Sequence, residues 1–157
     1  MKNDTIETDM RSITAEYDLP HAPAKVWRAL TESKLVASWL MQNDLVPVVG
    51  HRFQFRSQPM PGWDGVVHCE VLEVRPHERL VYSWRGGSDE LPAARLDSVV
   101  TWTLARTESG GTRLRLVHSG FTEHNARAHE AMSKGWRGMV AERIADVVAS
   151  LPDGASA

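Results

Sequence analysis

SVVTWTLARTESGGTRLRLVHSGF, residues 98–121, reads as two β-strands joined by a tight connection. In its first half Val100, Trp102 and Leu104 recur at every second position, so they share one face. Glu108-Ser109-Gly110-Gly111 supplies the small and polar residues of a hairpin turn. In its second half Leu114, Leu116 and His118 fall on one side, with Arg113, Arg115 and Ser119 on the other. A histidine in phase with leucines is predicted to face inward.

The same period extends upstream. ITAEYDL (13–19) places Ile13, Ala15, Tyr17 and Leu19 on one face, and HRFQFRS (51–57) does the same with Phe53 and Phe55. VVHCEVLEV (66–74) is a strand ended by Arg75-Pro76. RLVYSWR (79–85) sets Leu80, Tyr82 and Trp84 against Val81, Ser83 and Arg85. Pro59, Pro61 and Gly62 mark a loop, GWDG (62–65) marks a turn, and Gly86-Gly87 opens a further loop through Pro92.

Helical spacing appears in three segments. Pro23 suits a first helical turn, and AKVWRALT (24–31) carries Val26, Trp27 and Leu30. A second short helix carries Leu35, Val36, Trp39 and Leu40, with Thr31 or Ser33 as its cap. Near the end, Met132, Trp136, Val140, Ile144, Val147 and Leu151 form an apolar stripe at spacings of 4, 4, 4, 3 and 4. It predicts one long helix, stopped by Pro152 and Gly154.

The order predicts an α+β fold. A curved antiparallel sheet of about six strands wraps the C-terminal helix, with two short helices after the first strand. One domain spans 12–151, between a disordered tail at 1–11 and a C-terminal tail at 152–157.

Composition narrows the function. The chain has 157 residues, and its 18 Lys+Arg against 20 Asp+Glu give a net charge of −2. That is not the basic footprint of a nucleic-acid binder. A single cysteine excludes an intrachain disulfide scaffold. No apolar run is long enough to span a membrane, so no membrane partner is expected. The opening MKNDTIETDMRS lacks the apolar core of a secretory peptide. With the free thiol, this predicts a cytoplasmic protein.

Neither metal nor cofactor is expected. His124 and His129 are five apart and do not share a helix face, and His68 and Cys69 point to opposite faces of a strand. No G-x-S-x-G elbow occurs. The glycine pairs join strands and form no phosphate cradle. Cys69 would act as a nucleophile only beside a base; a buried, inert thiol is by far the commoner case.

Six tryptophans outnumber three phenylalanines and two tyrosines. The inward faces collect Phe53, Phe55, Tyr82, Trp84, Val100, Trp102, Leu116 and His118, and Met132, Trp136 and Met139 face them from the helix. Apolar walls with sparse polar tips are the make-up of a small-molecule site. The same residues would also make a dry, filled core. His118 and Tyr82 are the candidate acid–base groups, with His68 or Glu70 behind them; a hydrogen-bonded core histidine is the other reading of His118.

PAKVWRALTESKLVASWL (23–40), GVVHCEVLEVRPHERLVYSW (65–84), SVVTWTL (98–104), GGTRLRLVHSGF (110–121) and Gly135-Trp136 together resemble the activator-of-Hsp90-ATPase-like family. That family lies in the START-like, Bet v 1-like superfamily, also called SRPBCC. The resemblance runs from about residue 13 to 150. It implies a helix-grip fold with a cavity between sheet and long helix. It does not imply one chemistry, because the superfamily includes carriers, cyclases, self-resistance proteins and co-chaperone domains.

Three readings follow. The first is a cytoplasmic protein holding a hydrophobic or aromatic small molecule. The second is an enzyme similar to polyketide cyclases and aromatases that uses the same cavity. The third is an Hsp90 co-chaperone-like interaction module in stress response, although no segment matches the separate N-terminal domain of the eukaryotic co-chaperone. A homodimer through the edge strand 13–19 is a further expectation.

Overall fold

The computed structural model describes residues 12–59, 63–88 and 91–152. Strand β1 (Ser12–Leu19) is followed by helices α1 (Pro23–Thr31) and α2 (Ser33–Trp39) and by strands β2 (Gln42–Asn43), β3 (Arg52–Arg56), β4 (Val66–Arg75), β5 (Arg79–Ser88), β6 (Leu91–Arg106) and β7 (Thr112–Ser119). A 3-10 turn (Glu123–Asn125) leads into α3 (Ala126–Arg137) and α4 (Met139–Ser150). The strands make one antiparallel sheet in the order β1-β7-β6-β5-β4-β3-β2. Its inner face curls around the C-terminal helices. The tail expected at 1–11, and all of the one expected at 152–157 except Pro152, lie outside the described residues.

Register follows from the alternation. Trp102 pairs with Leu116 and Val100 with His118, while Leu80 and Tyr82 pair with Trp102 and Val100 from the other side. A slip of one residue would turn this whole row to solvent, so its burial fixes the pairing. Each large side chain sealed inside contributes about 1.5–3 kcal/mol.

Several elements differ from the sequence reading. β2 is the seventh strand, and two residues are too few to carry a period. Asn43 anchors it: its Nδ2 donates to the Met41 and Ser33 carbonyls at 2.9 and 3.1 Å, and Ser33 Oγ donates back to the Asn43 carbonyl at 2.8 Å. Ser33 is therefore not the cap of α2, and Thr31 donates its hydroxyl to the Trp27 carbonyl at 2.8 Å; Glu32 occupies the cap position, with its carboxylate turned to Arg28 and no side-chain bond to the helix's first amides. The loop expected from Gly86 to Pro92 is mostly ladder, with Gly86 opposite Leu96 and Ser88 opposite Leu91. The glycine pair marks a register shift between Gly86 and Ser88, where a strand tolerates an irregular backbone.

The predicted single helix is two. Gly138, with φ −107° and ψ −93°, breaks it, although its N–H still reaches the Lys134 carbonyl at 2.9 Å. A Cβ at this position would sit 2.9 Å from that oxygen. Past the break Val140 and Ile144 are buried as expected, but the next buried position is Val148, while Val147 is half-buried.

The edge strand is also not bare. The Ser12 carbonyl accepts from His129 Nε2 at 2.9 Å, and the Thr14 carbonyl accepts from Arg137 at 3.1 and 3.3 Å. Along this stretch α3 covers the edge on which the dimer expectation rests.

Candidate functional site

The strand pleat sends Phe53, Phe55, Tyr82, Trp84, Val100, Trp102, Leu116 and His118 inward, and all are buried. Trp136 comes down from α3 and is buried with them; Met132 is half-buried against the same core. Met139 is 54% exposed, because it follows the break at Gly138 and the inward position passes to Val140.

The rings interlock. Trp102 meets Trp39 and Trp136 edge-on, each at 5.7 Å between centroids. Trp84 touches Phe55 and His118 at 5.3 Å and Trp136 at 5.8 Å. Edge-to-face contacts at these distances are the favoured aromatic geometry. The space beneath the helix is therefore occupied by the protein's own rings.

A line of hydrogen bonds runs through them. Trp136 Nε1–H donates to His118 Nδ1 at 3.1 Å. His118 Nε2–H donates to Ser98 Oγ at 2.8 Å, and Ser98 donates to the Trp84 carbonyl at 2.8 Å. This fixes one neutral tautomer and uses both ring nitrogens. Burial pushes the imidazole pKa down to about 3, with His129 adding a smaller push. His118 is thus the hydrogen-bonded core histidine, and taking up a proton would set two donors against each other at Nδ1.

Tyr82 accepts Trp102 Nε1–H at 3.0 Å, and burial raises its phenol above the usual range. Tyr17 donates its hydroxyl to the Trp136 carbonyl and ties α3 to β1. Burial, with Asp44 nearby, likewise raises the Cys69 thiol, so the thiolate needed for nucleophilic chemistry is disfavoured. Ser98 went unread in the sequence, and Trp39 was read only as an apolar residue of a short helix. Ser98 stands in phase with Val100 and Trp102, and that phase was the available signal.

One polar atom is left over. Among the described residues Trp84 Nε1 is the buried side-chain nitrogen or oxygen with no hydrogen-bond partner. A buried orphan donor costs about 1–3 kcal/mol, so such atoms are uncommon and ask for a reason.

His68 and Glu70 are separated from this interior by the sheet. They lie on its outer face, where Glu70 pairs with Arg52 at 3.6 Å and His68 Nδ1 meets Gln54 Nε2 at 3.4 Å. That face forms an open groove of about 920 Å³. Its arginines are matched by carboxylates: Arg56 to Asp44 at 3.4 Å, Arg85 to Asp97 at 3.3 Å and Arg95 to Asp97 at 3.5 Å. Exposed pairs of this kind contribute little stability. Among the described residues no three His, Cys, Asp or Glu side chains are grouped to hold a metal, and no helix is long and apolar enough to cross a membrane.

Comparison with known proteins places this geometry. No curated protein matches the chain. Protein MLL2253 from Mesorhizobium loti has 39% identity over 90% of this chain and 99% of its own, with a TM-score of 0.82. Protein BH1534 from Bacillus halodurans has 31% identity over 87% of this chain and 96% of its own, with a TM-score of 0.70. DynU16, a protein of the dynemicin biosynthetic locus, has 20% identity over 89% of this chain and 48% of its own; its TM-score of 0.72 shows a shared fold. Residues 20–149 match the family described as "Activator of Hsp90 ATPase homolog 1-like protein". With the curled sheet gripping a bent C-terminal helix, the chain belongs to that family and carries the Bet v 1-like fold of the SRPBCC proteins.

Proposed function

We propose that this protein binds a hydrophobic or aromatic small molecule beneath the C-terminal helix, beside Trp84, in the cytoplasm, the guest displacing rings that fill that interior here. One observation carries the reading. Trp84 offers a buried N–H with no partner, in a nest of aromatic rings, in a fold that takes ligands between sheet and helix. Trp136 is the one buried side chain that α3 sends into this interior. Met41, Trp63 and Met132 are half-buried against the core, and methionine adapts its shape to irregular guests. Binding comes before catalysis in this reading, because His118 has both nitrogens engaged and Tyr82 is held by Trp102.

Titration of the intrinsic tryptophan fluorescence with neutral aromatic compounds tests the proposal. Saturable quenching at micromolar concentrations is expected, because burying a few large apolar groups supplies roughly the 8 kcal/mol that such affinity requires. A flat signal across the panel, with no small molecule retained by the native protein in mass spectrometry, defeats it.

A further inference from the structure

We infer that the molecule bound at this site is uncharged and presents carbonyl-type acceptor oxygens to Trp84 and Tyr82. The inference rests on the small-molecule reading above and adds the chemistry of the guest. It follows from a count of interior donors and acceptors.

Three of the interior polar groups are mutually satisfied. His118 accepts from Trp136 and donates to Ser98, and Ser98 donates to the Trp84 carbonyl. The Trp102 N–H is spent on the Tyr82 oxygen. Two protons remain. Trp84 Nε1–H has no partner, and the Tyr82 hydroxyl, which accepts from Trp102, finds no acceptor for its own hydrogen among the described residues.

Both unspent donors stand on β5 two residues apart, so their side chains leave the same face of the strand from backbone positions about 7 Å apart. Phe55 lies against both rings, at 6.0 Å from Tyr82 and 5.3 Å from Trp84. The surplus is therefore of donors, flanked by a flat apolar surface. A guest that brings acceptors completes the count, whereas one that brings a hydroxyl or amine proton adds a further orphan. A charged guest would lose its hydration with no opposite charge to meet it, since among the described residues the rings and hydrogen-bond partners around Trp84 and Tyr82 include no ionised side chain, and His118 is neutral there.

Equilibrium dialysis of three matched pairs tests this: indane with 1-indanone, fluorene with 9-fluorenone, and anthracene with anthraquinone. The full chain should bind each carbonyl compound about tenfold tighter than its hydrocarbon twin, or about 1.4 kcal/mol. In W84F, which keeps the aromatic ring and removes the N–H, the preference should fall to about threefold or less. Equal affinity for the twins in the unaltered protein overturns the inference and leaves the small-molecule reading standing. Failure of both twins to bind overturns that reading and the inference with it. A preference that survives W84F undiminished removes Trp84 from the recognition and overturns the inference.

Discussion

The pH dependence of stability is the most direct quantitative consequence of the buried His118 line. The ordinary histidine pKa is 6.5, and in the folded protein burial lowers it to about 3. Between those values the unfolded chain binds a proton that the folded chain refuses, so stability rises with pH across this window and falls on acidification. The contribution is intact above pH 6.5 and is lost progressively as the pH drops toward 3. Going from pH 7.5 to 5.0, this one group should remove about 2 kcal/mol of stability. For a domain of this size that corresponds to a fall of about 4–8 °C in Tm. The comparison protein is H118Q, whose amide can accept from Trp136 and donate to Ser98 but does not titrate. Urea denaturation of both proteins at the two pH values isolates the histidine, because His129 and the surface carboxylates are common to both. The unaltered protein should lose about 2 kcal/mol more than H118Q. Equal losses would mean that the imidazole is hydrated or already charged when folded, and the assignment of the neutral relay would be wrong.

Ser98→Ala should destabilise by about 1–3 kcal/mol in urea, because it strands the His118 Nε2–H in the interior; a change within about 0.5 kcal/mol would place that proton elsewhere. Gly138→Ala should cost about 1–3 kcal/mol, since the added carbon meets the Lys134 carbonyl at 2.9 Å; undiminished stability would show that the break between α3 and α4 relaxes freely. Cys69 should resist a thiol-reactive dye until the protein is unfolded, as burial both shields it and disfavours the thiolate; rapid stoichiometric labelling of native protein counts against this. Asp18→Ala on the sheet edge should shift stability by no more than about 0.5 kcal/mol, because its pairing with Arg113 is solvent-exposed on both sides.

What the sequence disclosed was whatever has a period. The inward rows of β3 to β7 follow from alternation, because a strand buried on one face has no other way to hide Phe53, Trp84 or Leu116. The helix-grip architecture follows from one long apolar stripe arriving after a run of strands. What lacks a period stayed hidden. Gly138 interrupts the helix without interrupting the hydrophobic pattern, so Met139 was expected inside and stands outside. The role of His118 was half legible: its phase gave burial, but its neutrality depends on Ser98, 20 residues away, and on Trp136 from a different element. The covering of the β1 edge depends on His129 and Arg137, which meet it only after the chain has closed on itself. Whether a set of inward rings encloses space or fills it is a matter of rotamers and helix placement, neither of which is written in the alternation.

The filled interior divides by how its rings are held. Toward β6 and β7 they are fastened by hydrogen bonds: Trp136 to His118, His118 to Ser98, Trp102 to Tyr82. Toward β3, Phe53 and Phe55 are held by ring contacts, at 5.4 Å from each other and at 5.5 and 6.0 Å from Tyr82. Displacing a phenyl ring forfeits dispersion and buried area, which an aromatic guest restores in kind. Displacing a bonded indole also strands a donor, at about 1–3 kcal/mol. Entry on the β3 side is therefore the less costly route. Trp84 stands at the seam, touching Phe55 on one flank and His118 and Trp136 on the other. A phenylalanine at position 84 would keep an aromatic ring there and leave the Tyr82 hydroxyl proton as the one donor of the pair still unspent. In the closed interior the indole nitrogen is a liability, and an acceptor oxygen arriving from the β3 side would turn it into a contact that the protein alone does not provide.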